Sequence, residues 1–193
     1  MALENLADKK KAILESTLDL IKENGFHGTP MSMVAKHANV AAGTIYHYFD
    51  SKETLICQLF SYVKGRIMDA LFEQDDESLD FRVRFFRVWR GLYEFYINNL
   101  NSLVFFEQFV NSPYNKKLPK PEHDTFKPLH DFFTLGIEQE YLRPVNPKIL
   151  TVLAHGSILT AAKVRMAGKI ELQEPELEQI IEILWDGMAL KKK

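Results

Sequence analysis

One cysteine, Cys57, stands in 193 residues, so no intrachain disulfide can form and a reducing, cytoplasmic setting is expected. The opening residues, MALENLADKKKAIL, hold no apolar core ahead of their charges, which speaks against a secretion signal. No uninterrupted apolar run is long enough for a membrane span to be expected. Charge of either sign is scarce in excess: 24 Lys and Arg stand against 26 Asp and Glu, a net of −2. The strong basic surplus of many nucleic-acid-binding domains is therefore missing. Glycine spacing removes whole classes of enzyme. No two of the nine glycines lie two, four or five positions apart, so there is no GxG turn, no GxSxG elbow and no GxxxxGK phosphate loop. None of the six histidines follows a Glu by three residues, and one thiol cannot build a thiolate zinc site. His123 and His130, seven apart, share a helix face but lack a third ligand. Neither metal nor cofactor is expected, and no catalytic constellation points to an enzyme.

Alternating strand patterns are absent too, and nearly every segment repeats at helical spacing. The chain is expected to be all-α, with about nine helices. KKAILESTLDLIKENG presents Ile13, Leu14, Thr17, Leu18 and Ile21 on one face and stops at Gly25. TPMSMVAKHA offers Thr29 as N-cap and Pro30 at the first helical position. A short third helix over Ala42–Tyr48 follows. Asp50, with Glu53 three residues on, reads as the capping box of a long fourth helix. The fifth runs through LDFRVRFFRVWRGLYEFYINN and the sixth through SLVFFEQFV. The seventh is expected from Pro121 to about Glu140, the eighth from Asn146-Pro147 to about Ala167, and the ninth from Pro175 to near Leu190. A boundary near residue 50 separates residues 1–50 from residues 51–193.

The densest signal lies in NVAAGTIYHYFDSKETL. Its helix is only two turns long, and helices below about 12 residues do not hold in water without tertiary contacts. Ile45 and Phe49, four apart, must be the anchors, with Val40 beside them. Gly43, Thr44, Tyr46 and His47 then face outward and Tyr48 lies at the edge. Asn39 suits a left-handed turn between the second and third helices. Helix, tight turn, buried Val and second helix is the helix-turn-helix plan, whose second helix enters the major groove.

GFHGTPMSMVAKHANVAAGTIYHYFDSKETL closely resembles the N-terminal domain of TetR-type transcriptional repressors. The matching positions are Gly25-Phe26, Thr29, Val34-Ala35, Val40, Gly43-Thr44, Ile45-Tyr46, Tyr48-Phe49, Ser51-Lys52-Glu53 and Leu55. They fall within roughly residues 8–60. The resemblance implies a homodimer on palindromic operator DNA, released by a small effector. It implies that Tyr46 and His47 touch bases or backbone, and that Thr44 and the Gly43 amide meet phosphate. Thr29 would cap the second helix and contact phosphate, Lys52 would neutralise another, and Tyr48 would support the surface. Ala42 stands where the family often has Lys, Arg or Pro, and Ala41 where it has Ser or Thr, a cap worth ~1 kcal/mol. Fewer base-directed contacts per half-site are expected.

Of 23 aromatic residues, 15 lie between Phe81 and Tyr141. Such crowding is either a filled core or a lined cavity, and the family layout implies a cavity for an apolar or aromatic effector. Its expected lining is Phe85, Trp89, Tyr93, Phe105, Phe109, Phe126, His130 and Phe133. Arg82, Arg84, Arg87 and Arg90 interleave the fifth helix; one turned inward would point to an anionic effector, and Arg90 is spaced to pair with Glu94. The last two helices keep small and apolar residues on more than one face. The layout implies a two-fold interface there, with His155, Leu159, Ala162, Ile181, Leu184 and Met188 as candidates. The alternative from another class is a helical small-molecule-binding dimer that no longer binds DNA.

Overall fold

The computed structural model describes residues 2–73, 75–118, 126–168 and 172–191, with side chains from Asp8 onward. Pro121 and His123 lie outside the described residues. Among the described residues there are nine α-helices and no strand: α1 Ala2–Asn24, α2 Met31–His37, α3 Ala42–Tyr48, α4 Lys52–Phe72, α5 Phe81–Asn98, α6 Leu100–Val110, α7 Lys127–Glu138, α8 Pro147–Met166 and α9 Glu174–Met188. A 3-10 turn over Pro113–Lys117 follows α6. Backbone proximity gathers residues 2–65 with 99–118 into one compact unit, and 66–98 with 126–191 into a second.

In the first unit, α1 packs on α2 and α6, and α2 packs on α3. Ile13, Leu18 and Ile21 supply its floor and are essentially unexposed. Gly25, at φ 67, ends α1 as a left-handed C-terminal residue. The aromatic side chains of α6 belong here: Phe105 meets Phe26 edge-on at 5.9 Å, and Phe109 stacks on Phe60 at 4.2 Å. Acidic residues of α1 are tied down on the same side. Tyr62 donates to Glu15, and Asn101 Nδ2 donates to Asp19 at 2.8 Å.

Two expected caps are corrected. Ser51, not Asp50, caps α4: its Oγ accepts from the Thr54 amide at 3.1 Å, while Glu53 pairs with Lys117. Thr29 does not cap α2, because its hydroxyl donates to the Gly25 carbonyl at 2.8 Å and Pro30 occupies the N-cap.

In the second unit, α8 packs against α5, α7 and α9. Phe81, Phe85, Trp89, Leu92 and Tyr96 form the expected buried face of α5. Arg84 joins them by burying a charge, and Asp75 makes this tolerable with two hydrogen bonds of 2.8 Å to its guanidinium. Arg90 pairs with Glu174 and Glu178 on α9 rather than with Glu94. Asn146 caps α8 as expected, accepting from the Lys148 amide at 3.0 Å. At 20 residues α8 is, by length and composition, long and apolar enough to cross a membrane, against the expectation from uninterrupted runs. Its Leu150, Ala154, Ile158, Ala161 and Ala162 are spent inside the protein.

His155 of α8 sits in this core, 6% exposed, with Nε2 3.0 Å from the Tyr96 hydroxyl and the Phe126 ring 4.6 Å away. Burial pushes its pKa down from 6.5 to about 4. The unfolded chain therefore takes up this proton first as pH falls. The contribution is complete above pH 6.5 and is lost through the window from 6.5 to 4. Urea titrations between pH 6.5 and 5 should show wild-type stability falling by up to about 1.4 kcal/mol per pH unit from this residue. His155→Gln should fall less steeply over the same interval, and equal slopes would remove His155 as the source.

Candidate nucleic-acid interface and aromatic core

The turn into α3 is set by Asn39, whose φ of 52 places it in the left-handed region. The Val40 amide then returns to the Ala35 carbonyl at 2.9 Å, and Val40 itself is half-buried. Ile45 and Phe49 have no exposed surface. Seven residues of helix thus hang from two side chains. Tyr46 is 55% exposed, His47 is exposed with its ring edge-on to Tyr48 at 5.4 Å, and Thr44 and Tyr48 are half-buried. Ala41 occupies the N-cap and supplies no side-chain cap, as its methyl requires. Ala42 and Gly43 are exposed. A Cβ built on Gly43 would meet nothing within 4 Å, so the chain's own packing does not demand glycine there.

Two of the expected phosphate contacts are otherwise engaged. Thr29 is buried, its hydroxyl donated to Gly25. Lys52 donates from Nζ to the Phe26 carbonyl, and partial burial lowers its pKa. Thr29 ties the loop after α1 to itself, and Lys52 ties it to the start of α4.

The aromatic cluster of the second unit is close to full. Leu71, Phe85, Val88, Trp89, Leu129, Phe132, Phe133, Ala154 and Ile158 enclose only about 10 Å³ that a water-sized sphere can reach. That is at the threshold for holding one water. Phe85, Trp89 and Phe133 are the expected lining residues found there. Tyr93 stacks on Trp89 at 5.5 Å and its hydroxyl receives Arg165 Nη1 at 3.3 Å. Phe126 lies against His155, and His130 is half-buried on α7. Phe105 and Phe109 are core residues of the first unit and do not line this space. Val88 and Leu129, missed from sequence, continue stripes spaced three and four apart that periodicity could have extended, and Phe132, whose aromatic ring faces α5 as its place in the sequence suggests, joins them. The wall also carries a polar pair: Trp89 Nε1 donates to Ser157 Oγ at 2.9 Å, and that hydroxyl donates to the Ala154 carbonyl at 2.7 Å. The inward-turned arginine exists, but Asp75 already supplies its anion.

The dimer candidates divide. His155, Ala162, Ile181 and Met188 are buried within their own unit, while Leu159 and Leu184 are half-buried. The apolar surface left open on the same helices is Ile149, Val152 and Leu153 of α8 and Ile183 of α9. Among the described residues, no group of three or more His, Cys, Asp or Glu is placed to hold a metal.

Two family models divide the chain. That of bacterial regulatory proteins of the tetR family matches residues 13–59, and that of the tetracyclin repressor-like C-terminal domain matches residues 81–189. An uncharacterized HTH-type transcriptional regulator of Haemophilus influenzae is 28% identical over 182 residues, covering 92% of this chain and 94% of the relative. A TetR-family transcriptional regulator of known structure from the same species superimposes with a TM-score of 0.82 at 28% identity, covering 95% of this chain and 97% of its own. FadR of Bacillus subtilis, solved in complex with stearoyl-CoA, shares the fold at a TM-score of 0.77 and 21% identity, covering 92% and 98%. Matched over both its parts, the chain belongs to the TetR family of bacterial transcriptional regulators and carries their helix-turn-helix DNA-binding domain.

Proposed function

We propose that the chain is a ligand-responsive repressor that binds palindromic operator DNA as a homodimer and lets go when an apolar effector binds. Residues 1–50 bind DNA in this reading, and residues 51–193 bind effector and partner. The observation that carries the DNA half is the two-sidedness of α3, with Ile45 and Phe49 wholly buried and Tyr46 and His47 turned out. Tyr46 and His47 meet bases or backbone, and Thr44 and the Gly43 amide meet phosphate. Phosphate contacts fix register while base contacts choose sequence. Thr29 and Lys52 act mainly by holding the turn, and Ala42 allows close approach without adding charge. Gly43→Ala separates folding from binding. It should raise stability by about 0.5–1 kcal/mol, because a helical glycine gives way to alanine in open space. It should weaken operator affinity roughly tenfold, about 1.4 kcal/mol, because the added methyl stands where the backbone meets DNA. A variant that melts higher and binds unchanged would remove Gly43 from the interface.

The homodimer rests on the apolar surface that α8 and α9 leave uncovered. Val152 is 70% exposed and Ile183 73%, with Ile149 and Leu153 beside them on α8. A patch of this kind is covered most simply by its own copy in an isologous four-helix contact. Light scattering at micromolar concentration should give a dimer, and Ile183→Glu should give a monomer of unchanged helix content with lost affinity for a palindrome. A wild-type monomer refutes this part.

The filled aromatic core makes the effector response a shift of populations. An effector can enter only a state in which Phe85, Trp89 and Phe133 have parted, and it moves the equilibrium by its preference for that state. α4 provides the connection: Leu71 near its end lines the core, while Lys52 at its start is bonded to the loop after α1. The bound stearoyl-CoA of FadR supports a long apolar chain as effector class. In a Trp185→Phe background, Trp89 is the sole tryptophan. Stearoyl-CoA should quench its fluorescence and release operator DNA over one concentration range. Quenching without release would leave a binding site and remove the switch.

A further inference from the structure

The DNA-binding domain has a shortage of cations where it is expected to need them. Residues 1–50 hold five lysines against six carboxylates. On α3 itself His47 is the only basic residue, Ala42 carries no charge, and Lys52 is drawn to the Phe26 carbonyl. Nor is charge evenly spread along α1. Glu15 and Asp19 are held by Tyr62 of α4 and Asn101 of α6. Lys9, Lys10 and Lys11, nearer the start of the helix, are exposed and form no ion pair among the described residues. Lys10 lies one turn ahead of Ile13 and Leu14, on the face that continues the buried stripe. At that point the core has ended, and its ammonium stands 5.9 Å from the centre of the Phe49 ring, the residue that closes α3.

Resting on the DNA-binding reading above, we propose that Lys10, flanked by Lys9 and Lys11, is a phosphate-binding element of α1 that clamps the DNA backbone beside the C-terminal end of α3. A helix of seven residues is about 10 Å long, and the major groove it enters is about 12 Å wide. A flexible lysine pinned at the end of such a helix reaches the phosphates of the groove wall. Over the first half of α1 the three lysines outnumber the two carboxylates, Glu4 and Asp8, so this end of the helix carries a small positive excess although residues 1–50 as a whole do not. Stacking on Phe49 gives Lys10 a defined place at no cost in charge.

Electrostatic contacts operate on any sequence, so the test needs no operator. The full chain is titrated with a mixed-sequence duplex of about three helical turns across a range of salt concentrations. Lys10→Gln should lower the slope of log affinity against log salt by about 1 and weaken low-salt binding several-fold. Lys22→Gln, about 18 Å away at the other end of α1, should leave both unchanged. A Lys10→Gln slope equal to wild type, with wild type binding normally, overturns the clamp and spares the DNA-binding reading. Wild-type protein that binds no duplex at any salt overturns the reading itself. Because Gln keeps helix propensity and the site is exposed, equal melting temperatures confirm that all three proteins are folded alike.

Discussion

The burial of Ile45 and Phe49 is the constraint on which the DNA-binding half depends. Seven residues are too few to stay helical unaided, so α3 exists only while these two side chains are inside. Everything presented outward is positioned by that inward grip: Tyr46 and His47 on the open face, Gly43 and Thr44 at the leading end. The turn before it is fixed by a left-handed Asn39. The helix after it is fixed by the Ser51 cap and by Lys52 on the Phe26 carbonyl. None of these depends on a cap at Ala41. A two-turn helix can thus tolerate a poor start when its neighbours hold both ends.

The second unit solves a different problem, which is how to keep polar groups inside a crowded aromatic core. Each buried polar group there has a local answer. Asp75 binds Arg84 through two hydrogen bonds, Ser157 accepts from Trp89, and Tyr96 meets His155. An orphaned partner in such a place costs more than the bond itself gains. The last two pairs, which join α5 to α8, therefore fix which way these helices face one another more strictly than apolar contacts do.

Much of this was legible in the sequence where the rule is local. Gly25, Asn39, Asn146 and the pair Ile45 and Phe49 follow from backbone angles, capping chemistry and a four-residue spacing. Where two neighbouring residues satisfy the same rule, sequence chose wrongly: Asp50 and Ser51 can both cap, and the hydroxyl won. Non-local facts were harder. Periodicity shows that α8 and α9 have more than one apolar face but not which face meets α5, so it does not reveal that His155 and Ile181 are buried within the chain's own core. Phe105 and Phe109 looked like neighbours of Trp89 because they follow it closely in the chain. Which unit a helix joins is decided by packing, and α6 packs on α1. Arg84 and Asp75 meet across a break between helices, beyond the reach of any spacing rule.

On the proposed reading, the tightness of the aromatic core also fixes a clock for the effector. A space of about 10 Å³ admits at most a single water, so no larger molecule can arrive there simply by diffusing to it. It must wait until Trp89 lets go of Ser157 and the surrounding rings separate. The speed of occupation then rises with concentration only up to the frequency at which the protein opens by itself. Beyond that ceiling, more of the proposed effector would bring no faster answer.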